Sequence, residues 1–165
     1  MARFRAAIAL LAALTATPAL AASCDAVDWD AASVATELAA ATPRTTEAPL
    51  SRAAGAAFLL SLAPQAEVAF AHPPERPPKK PAPHAAVVEV AAGAAGAYRV
   101  VLSASGWIDV VQDGALIPAT AFGDLSGCPG LRKFVAFAIG AGPFTLQVSD
   151  AGPDAIAVAL VPAAD

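Results

Sequence analysis

The sequence predicts an all-β protein: a single, jelly-roll-like β-sandwich of about eight strands with a short N-terminal helix. Three observations predict this fold. Beyond Phe58, apolar residues alternate with period two in short runs. Glycine, proline and aspartate separate these runs, and almost no helical periodicity lies between them. The sequence also lacks the βαβ alternation that a doubly wound nucleotide-binding sheet requires.

The first 21 residues have the layout of a secretory signal peptide. Arg3 and Arg5 precede an apolar run, 6–14, which is too short to span a bilayer because a span needs ~20 apolar residues. The segment ends at Ala19-Leu20-Ala21, an A-x-A cleavage site. We therefore expect removal of residues 1–21, a periplasmic or secreted protein, and no transmembrane segment in the mature chain.

The two cysteines, Cys24 and Cys128, are expected to form a disulfide, because an exported chain folds in an oxidising compartment. The bridge would close a loop of about a hundred residues and stabilise the fold by about 4–5 kcal/mol on the chain-entropy model. The alternative for Cys24 is lipoprotein processing, although Leu20 lies one position too early for a lipobox. Both processing routes stay open at this point.

The chain is acidic, with a net charge of −4, and loss of Arg3 and Arg5 would leave eight basic and 14 acidic residues. An acidic protein is poorly suited to contacting the phosphates of nucleic acid. We therefore expect no nucleic-acid partner, and instead a protein or glycan partner in the periplasm or envelope. Alanine occupies 47 of 165 positions and inflates the hydrophobic content, and about 140 mature residues suit one domain.

A short helix is predicted near the mature N-terminus. Asp30 is placed to cap it, and Pro43 stops it. Val34 and Leu38 are four residues apart and would share the face that docks on the rest of the protein. Residues 43–56 are predicted as a polar linker. The chain thus divides into a signal peptide at 1–21, a helical and linker segment at 22–57, and a sandwich at 58–165.

The remaining elements follow from period-two alternation. Asp113-Gly114 is a strong hairpin signal, and Pro118 marks the segment after it as an edge strand or a bulge. The cleanest alternation places Tyr98, Val100 and Leu102 on one face. The segments predicted as strands are 57–62, 66–71, 86–92, 98–102, 107–112, 115–122, 132–139, 143–149 and 155–161.

Residues 72–84 interrupt the strands with six prolines in thirteen residues. This composition excludes a helix or a central strand and predicts an extended, polyproline-type loop. Arg76, Lys79 and Lys80 within it form a dense basic cluster on an otherwise acidic chain. We take the cluster as the best candidate for a contact surface toward an acidic partner or an SH3-like groove. The alternative is a solvated spacer.

Trp107 is the second candidate for partner contact, since it follows Gly106 at the start of a strand. An exposed tryptophan can stack on a sugar ring or on a protein partner, and the alternative is packing in the core against the disulfide. Asp109, Asp113 and Asp124 supply carboxylates, but their spacing matches no calcium loop.

His72 and His84 are the candidate metal ligands, with Glu75 between them. An extended proline-rich segment would hold the two histidines apart, so no metal and no other cofactor is predicted. The sequence has no Gly-x-Ser-x-Gly elbow, and oxidised cysteines cannot act as nucleophiles, so no catalytic residue is predicted. A non-enzymatic binding or accessory role is the leading interpretation. The alternatives are a metal-dependent or hydrolytic enzyme, and an envelope structural protein or lipoprotein.

Two stretches, 88–113 and 133–161, share the order of strand, Ala/Gly turn, strand and strand. Together they resemble the bacterial pre-peptidase C-terminal (PPC) type of secreted β-sandwich, over about residues 58–162. In that family a tyrosine-led strand follows the turn and the next strand carries an aspartate, and Tyr98 and Asp109 stand at these positions. The resemblance implies an accessory module rather than a catalyst.

A second resemblance concerns residues 128–133 (Cys-Pro-Gly-Leu-Arg-Lys) and 142–147 (Gly-Pro-Phe-Thr-Leu-Gln). They are similar to segments of short exported bacterial chains labelled homogentisate 1,2-dioxygenase. Such a dioxygenase needs a metal triad, typically two histidines and a carboxylate with open coordination positions. Only His72 and His84 are available, and both are predicted to lie in the proline-rich loop, so the residues do not support that activity.

Overall fold

The two sheets predicted from the alternation are present. The computed structural model describes Cys24 and residues 27–44, 46–53 and 56–163, so the predicted signal peptide lies outside the described residues. One sheet has six strands and the other five, and a single short helix accompanies them. This confirms an all-β sandwich. Within the described ranges, no helix is long and apolar enough to cross a membrane.

The described residues form eleven strands, three more than the approximate number predicted, because several are only two or three residues long. Helix α1 spans Ala31–Ala39. The strands are β1 Thr42–Arg44, β2 Ala56–Ser61, β3 Ala63–Pro64, β4 His84–Val90, β5 Gly96–Leu102, β6 Trp107–Gln112, β7 Ala115–Leu116, β8 Ala119–Asp124, β9 Lys133–Ile139, β10 Phe144–Ala151 and β11 Ala155–Pro162. The six-stranded sheet has the order β1-β2-β11-β5-β9-β8, and the five-stranded sheet has the order β3-β4-β10-β6-β7.

The main core lies between the two sheets and is built by the predicted alternation. In β5, Tyr98, Val100 and Leu102 point into this core, whereas Val101 points to the other face of the six-stranded sheet. The same rule holds for the inward residues of the last two strands, which are Phe144, Leu146, Val148, Ile156, Val158 and Leu160. Strand register is therefore set by burial, since a slip of one residue would expose a whole apolar face.

Helix α1 covers the outer face of the six-stranded sheet. The Asp30 carboxylate accepts a hydrogen bond from the Ser33 backbone N–H at 2.9 Å, which confirms the predicted N-cap. Val34 and Leu38 are both buried and pack into a second apolar cluster with Val101 of β5. The helix is short and its persistence depends on this docked face.

The predicted disulfide is present and ties this N-terminal layer to the sandwich. Cys24 and Cys128 are bonded, with their Cα atoms 5.1 Å apart and a sequence separation of 104. Cys128 lies in the loop between β8 and β9, within the same apolar cluster as α1. The Cys24 sulfur that lipidation would modify is thus taken up by the bridge.

The segment predicted as a polar linker, 43–56, contributes to both sheets. Its first residues belong to β1, which pairs in parallel with β2. Leu50 is buried and makes a backbone bridge to β4 through hydrogen bonds with Glu89 and Ala91. The sequence pattern missed these contacts because a three-residue strand and one bridging residue, rather than an alternating run, make them.

The predicted strand at 66–71 is wrong. Gln65–Glu67 forms a 3₁₀ turn instead, and the neighbouring strand is the short β3 just before it. Val68 and Phe70 alternate as predicted, but they lie with Pro78 and other prolines along a surface cleft rather than against a partner strand. Alternation without a neighbouring strand to pair with does not make a sheet.

The predicted single strand at 115–122 is also wrong, because the chain changes sheets within it. The Asp113-Gly114 turn is present, with positive φ at both residues as a type I′ hairpin requires, and leads into β7 of the five-stranded sheet. After Pro118 the chain enters β8, at the edge of the six-stranded sheet. Proline cannot donate to the strand ladder, which explains why the break falls there.

Candidate binding site beside the proline-rich segment

Residues 72–83, here called the proline strap, run across the outer face of the five-stranded sheet. The strap begins on a buried glutamine of β10. The His72 backbone N–H donates to Gln147 Oε1 at 3.1 Å, and Gln147 Nε2 donates back to the His72 carbonyl at 3.0 Å. Gln147 is fully buried, so its amide makes hydrogen bonds to the backbone of the strap in place of bonds to water.

The far end of the strap is fastened to Asp150, also on β10. Asp150 Oδ1 accepts hydrogen bonds from the backbone N–H groups of Lys79 (3.1 Å) and Lys80 (3.0 Å). The Lys80 ammonium also donates to the Asp150 carbonyl and lies 3.7 Å from Oδ2. The interpretation as a solvated spacer is therefore wrong for the backbone of the strap, although many of its side chains are exposed.

The middle of the strap rests on Asp109 of β6. Asp109 is only 3 % exposed. One of its oxygens accepts from Trp107 Nε1 at 2.7 Å, and the other accepts from the Glu75 backbone N–H at 3.3 Å. Burial raises the pKa of the Asp109 carboxyl, and the hydrogen bond from Trp107 opposes that shift only in part.

Two of the predicted contact residues, Arg76 and Trp107, are brought together. The guanidinium carbon of Arg76 lies 4.6 Å from the Trp107 ring centroid, and the Lys133 ammonium lies 5.2 Å from it. Trp107 is half-buried and belongs to neither apolar cluster. Its interpretation as a core residue packed against the disulfide is wrong, since the tryptophan in the disulfide cluster is Trp29.

Lys133 completes the cationic surroundings of Trp107 from β9. Its ammonium donates to the Gly106 carbonyl at 3.2 Å. Burial lowers the pKa of Lys133, and the positive charges of Arg132 and Arg76 lower it further. An ammonium that is partly desolvated and repelled by like charges is stabilised by a nearby anion, so this residue favours a negatively charged ligand.

These side chains line a cleft of about 780 Å³, here called the cationic cleft, between the strap and β8. Five cationic side chains surround it: Arg76, Lys79, Lys80, Arg132 and Lys133. Two carboxylates are also present, and each is already paired: Asp150 with Lys80, and Asp124 with Arg132. Hydrogen bonds from Ser126 and Arg132 hold the pKa of Asp124 well below its usual range, so it stays ionised.

A second cleft, of about 450 Å³, opens beside the first. It is called the apolar cleft here, because most of its lining residues are apolar. The two clefts share Arg76, Trp107, Phe122 and Lys133. Phe122 on β8 is 79 % exposed and is the most exposed large apolar side chain of the described residues.

The predicted metal candidates are not brought together. His72 lies at the start of the strap, with Nδ1 2.9 Å from the Pro73 carbonyl. His84 is the first residue of β4 rather than a loop residue, and it lines a different cleft of about 490 Å³. Across the part of the chain that the structure describes, no group of three or more His, Cys, Asp or Glu side chains is placed to hold a metal ion.

Sequence reasoning missed the half of the cationic cleft that β8 and β9 supply. Arg132 and Lys133 lie about fifty residues beyond the strap in sequence, and nothing in their local pattern predicts that they meet it. One signal was available. Gln147 and Asp109 are polar residues at outward positions, flanked along their strands by inward apolar residues of the core, and both hold the strap.

No protein-family model matches the chain, and comparison with curated proteins and with solved structures gives no match either. The resemblance to PPC-type modules therefore stays a prediction.

Proposed function

We propose that the protein is an exported, non-enzymatic binding module that holds an anionic group of a protein or glycan partner in the cationic cleft. The observation that carries this proposal is the concentration of charge. Five cationic side chains line one cleft of a chain whose net charge is −4. A local positive field of this kind attracts anions and orients them during encounter.

The anchoring of the strap supports a binding role. Its backbone is held by Gln147, Asp109 and Asp150, so Arg76 and Lys79 project from a fixed support. Among the described residues, neither of these two cations takes part in an ion pair. Because the backbone is already fixed, binding a ligand costs little conformational entropy for the strap, which strengthens the affinity of a preorganised site.

Two features support export to the periplasm or beyond. The first 21 residues have the layout of a signal peptide. The Cys24–Cys128 disulfide is the kind of bond that persists in oxidising compartments and is rare in a reducing cytosol. An accessory role in that location is also what the resemblance to PPC-type modules implies.

The test is titration calorimetry of the disulfide-bonded protein with two polyanions at low salt, a decaglutamate peptide and a heparin-derived hexasaccharide. Exposed charges each contribute up to about 1 kcal/mol, so the double variant Arg76→Ala/Lys79→Ala should bind about tenfold more weakly. Preference for the peptide would indicate a protein partner, and preference for the hexasaccharide a glycan.

The matched control is Arg44→Ala, which removes an exposed cation from β1, away from the cleft. It should bind both probes as the parent protein does. Equal weakening by Arg44→Ala and by the double variant would show a general charge effect and overturn the proposal. Absence of binding to either polyanion would overturn it as well.

A further inference from the structure

The apolar cleft exists because the two sheets part at one edge of the sandwich. Strand β7 contributes only two residues to the five-stranded sheet before the chain crosses at Pro118. Strand β8 then continues the six-stranded sheet, with the side chains of Ala119 and Phe122 exposed. Five of the six β8 residues are exposed, so the described part of the five-stranded sheet leaves this strand uncovered.

The floor of the apolar cleft is the edge of the main core. Ile108, Val135 and Phe137 belong to the core cluster between the sheets, and Ile117 packs against it. All four also line the apolar cleft. A slot between two sheets that is lined by aliphatic and aromatic side chains matches a flexible hydrocarbon chain, and the hydrophobic effect favours its filling.

The charged residues at the opening are distributed unevenly between the two clefts. Arg76 and Lys133 border both clefts, whereas Glu75 and Asp109 border only the apolar one. The Asp109 oxygens are engaged by Trp107 and by the backbone of Glu75. Repulsion by these two carboxyls disfavours an anion inside the apolar cleft and places it on the side of Arg76 and Lys133.

We propose that, besides an anionic group of a partner, this site binds an aliphatic carboxylate: its hydrocarbon chain fills the apolar cleft and its carboxylate binds Arg76 and Lys133 at the border with the cationic cleft. This inference rests on the proposed function, because the charged end of the ligand uses the same cations. It adds a requirement that polyanion binding does not have, namely an apolar chain attached to the anion.

The first experiment is a chain-length series, with acetate, butanoate, hexanoate and octanoate titrated into the disulfide-bonded protein below the micellar range. Burial of each methylene strengthens binding about fourfold. Octanoate, with four more methylenes, should therefore bind roughly 250-fold more tightly than butanoate. Equal affinities for acetate and octanoate would overturn the inference, and the decaglutamate and heparin titrations would still decide the proposed function separately.

The second experiment blocks the cleft with a matched pair of variants. Ala119 lines the apolar cleft and Ala121 lines neither cleft, while both are exposed residues of β8. Ala119→Trp should weaken octanoate binding at least tenfold and leave polyanion binding within about twofold. Ala121→Trp should change neither. Unchanged octanoate binding in Ala119→Trp would place the chain elsewhere and overturn the inference.

A spectroscopic readout locates the chain directly. In a Trp29→Phe background, Trp107 is the remaining tryptophan of the chain. Because Trp107 lines the cleft, 8-bromooctanoate should quench its fluorescence in proportion to binding, whereas octanoate, which carries no heavy atom, should not at the same occupancy. Saturable binding of 8-bromooctanoate without quenching would contradict the proposed position of the chain.

Discussion

Asp109 shows how one residue links the strap, the aromatic side chain and the sheet. It lies at an outward position of β6, where water would ordinarily solvate a carboxylate, and the strap covers it. Its oxygens hold the indole N–H of Trp107 and the backbone N–H of Glu75. Burial is nevertheless the larger effect on its pKa, which is raised above 3.8.

This raised pKa predicts a pH dependence that Asp109→Asn removes. Between pH 3.8 and the higher pKa of the folded state, the folded protein binds more protons at this site than the unfolded chain. The free energy of unfolding of the parent protein, relative to Asp109→Asn, should therefore fall as pH rises through that window and stay constant above it. Urea unfolding of both proteins from about pH 3 to about pH 7 measures the difference.

The sign of that difference is the critical result. A relative stability that increases as pH rises would mean that the hydrogen bonds to the carboxylate outweigh its burial. Glu47→Gln, at an exposed residue, is the control and should leave the pH profile of the parent protein unchanged.

Arg52 is a second residue whose role no local pattern reveals. It is 6 % exposed, and its guanidinium donates to the carbonyls of Gly140 (2.7 Å) and Ile139 (3.3 Å) in the turn between β9 and β10. The same guanidinium lies 4.3 Å from the Tyr98 ring centroid. Gln112 approaches this turn from the other side and accepts from the Gly140 N–H at 2.8 Å. The turn is therefore fixed by side chains that are distant in sequence.

At the scale of elements, the proline strap is irregular in conformation and yet fixed in position. Prolines lack a backbone N–H, so few donors in the strap need a partner. Side chains of the sheet accept hydrogen bonds from the backbone N–H groups of four strap residues, which are His72, Glu75, Lys79 and Lys80. This pattern lets an extended segment cover a sheet without joining it as a strand.

Asp150 offers a test of that anchoring. It has a positive φ of 48°, so Asp150→Gly keeps the backbone conformation accessible and removes the two acceptor bonds to Lys79 and Lys80. Amide hydrogen exchange at Lys79 and Lys80 should become at least tenfold faster, since each lost bond is worth about 1.5–3 kcal/mol. Exchange in β9 should not change.

Asp150→Asn is the matched control, because asparagine keeps an acceptor oxygen and tolerates the left-handed region. Exchange at the two lysines should then be slower than in Asp150→Gly, because a neutral acceptor keeps part of each bond. Equally fast exchange in Asp150→Gly and in the parent protein would show that contacts other than Asp150 hold the strap.

At the scale of the whole molecule, each sheet carries a cover on its outer face. Helix α1 and the disulfide cover the six-stranded sheet, and the proline strap covers the five-stranded sheet. The open edge near Pro118 lies between these covers, and both clefts meet there. The two clefts thus form at the edge of the core that neither cover reaches.

The disulfide predicts the largest single effect on stability. Closing a loop with a sequence separation of 104 stabilises the fold by about 4–5 kcal/mol on the chain-entropy model. The double variant Cys24→Ser/Cys128→Ser should therefore lose about 4 kcal/mol of the free energy of unfolding, measured by urea denaturation. The double substitution leaves no free thiol. A loss below ~1 kcal/mol would show that the unbridged chain is already constrained near its N-terminus.

The sequence by itself determined the all-β class, the cysteine pair and the inward-facing residues. Strand β6 matches its predicted range of 107–112, and the helix cap at Asp30 and the hairpin at Asp113-Gly114 are where they were expected. Each of these features follows from a short-range rule. Strands follow from the alternation of buried and exposed residues, and the helix cap follows from a side chain that accepts from the backbone three residues ahead. The hairpin follows from two adjacent residues that tolerate positive φ.

Only the tertiary structure decided which strands became neighbours and which charges met. The change of sheet at Pro118, the seat of the strap on Gln147, and the approach of Lys133 to Arg76 all join residues that are far apart in sequence. Local patterns carry no information on such pairings, because these pairings depend on how two sheets share one core. The sequence shows the basic cluster, but it does not show that the cluster lies beside an apolar cleft. The proposed aliphatic carboxylate needs both.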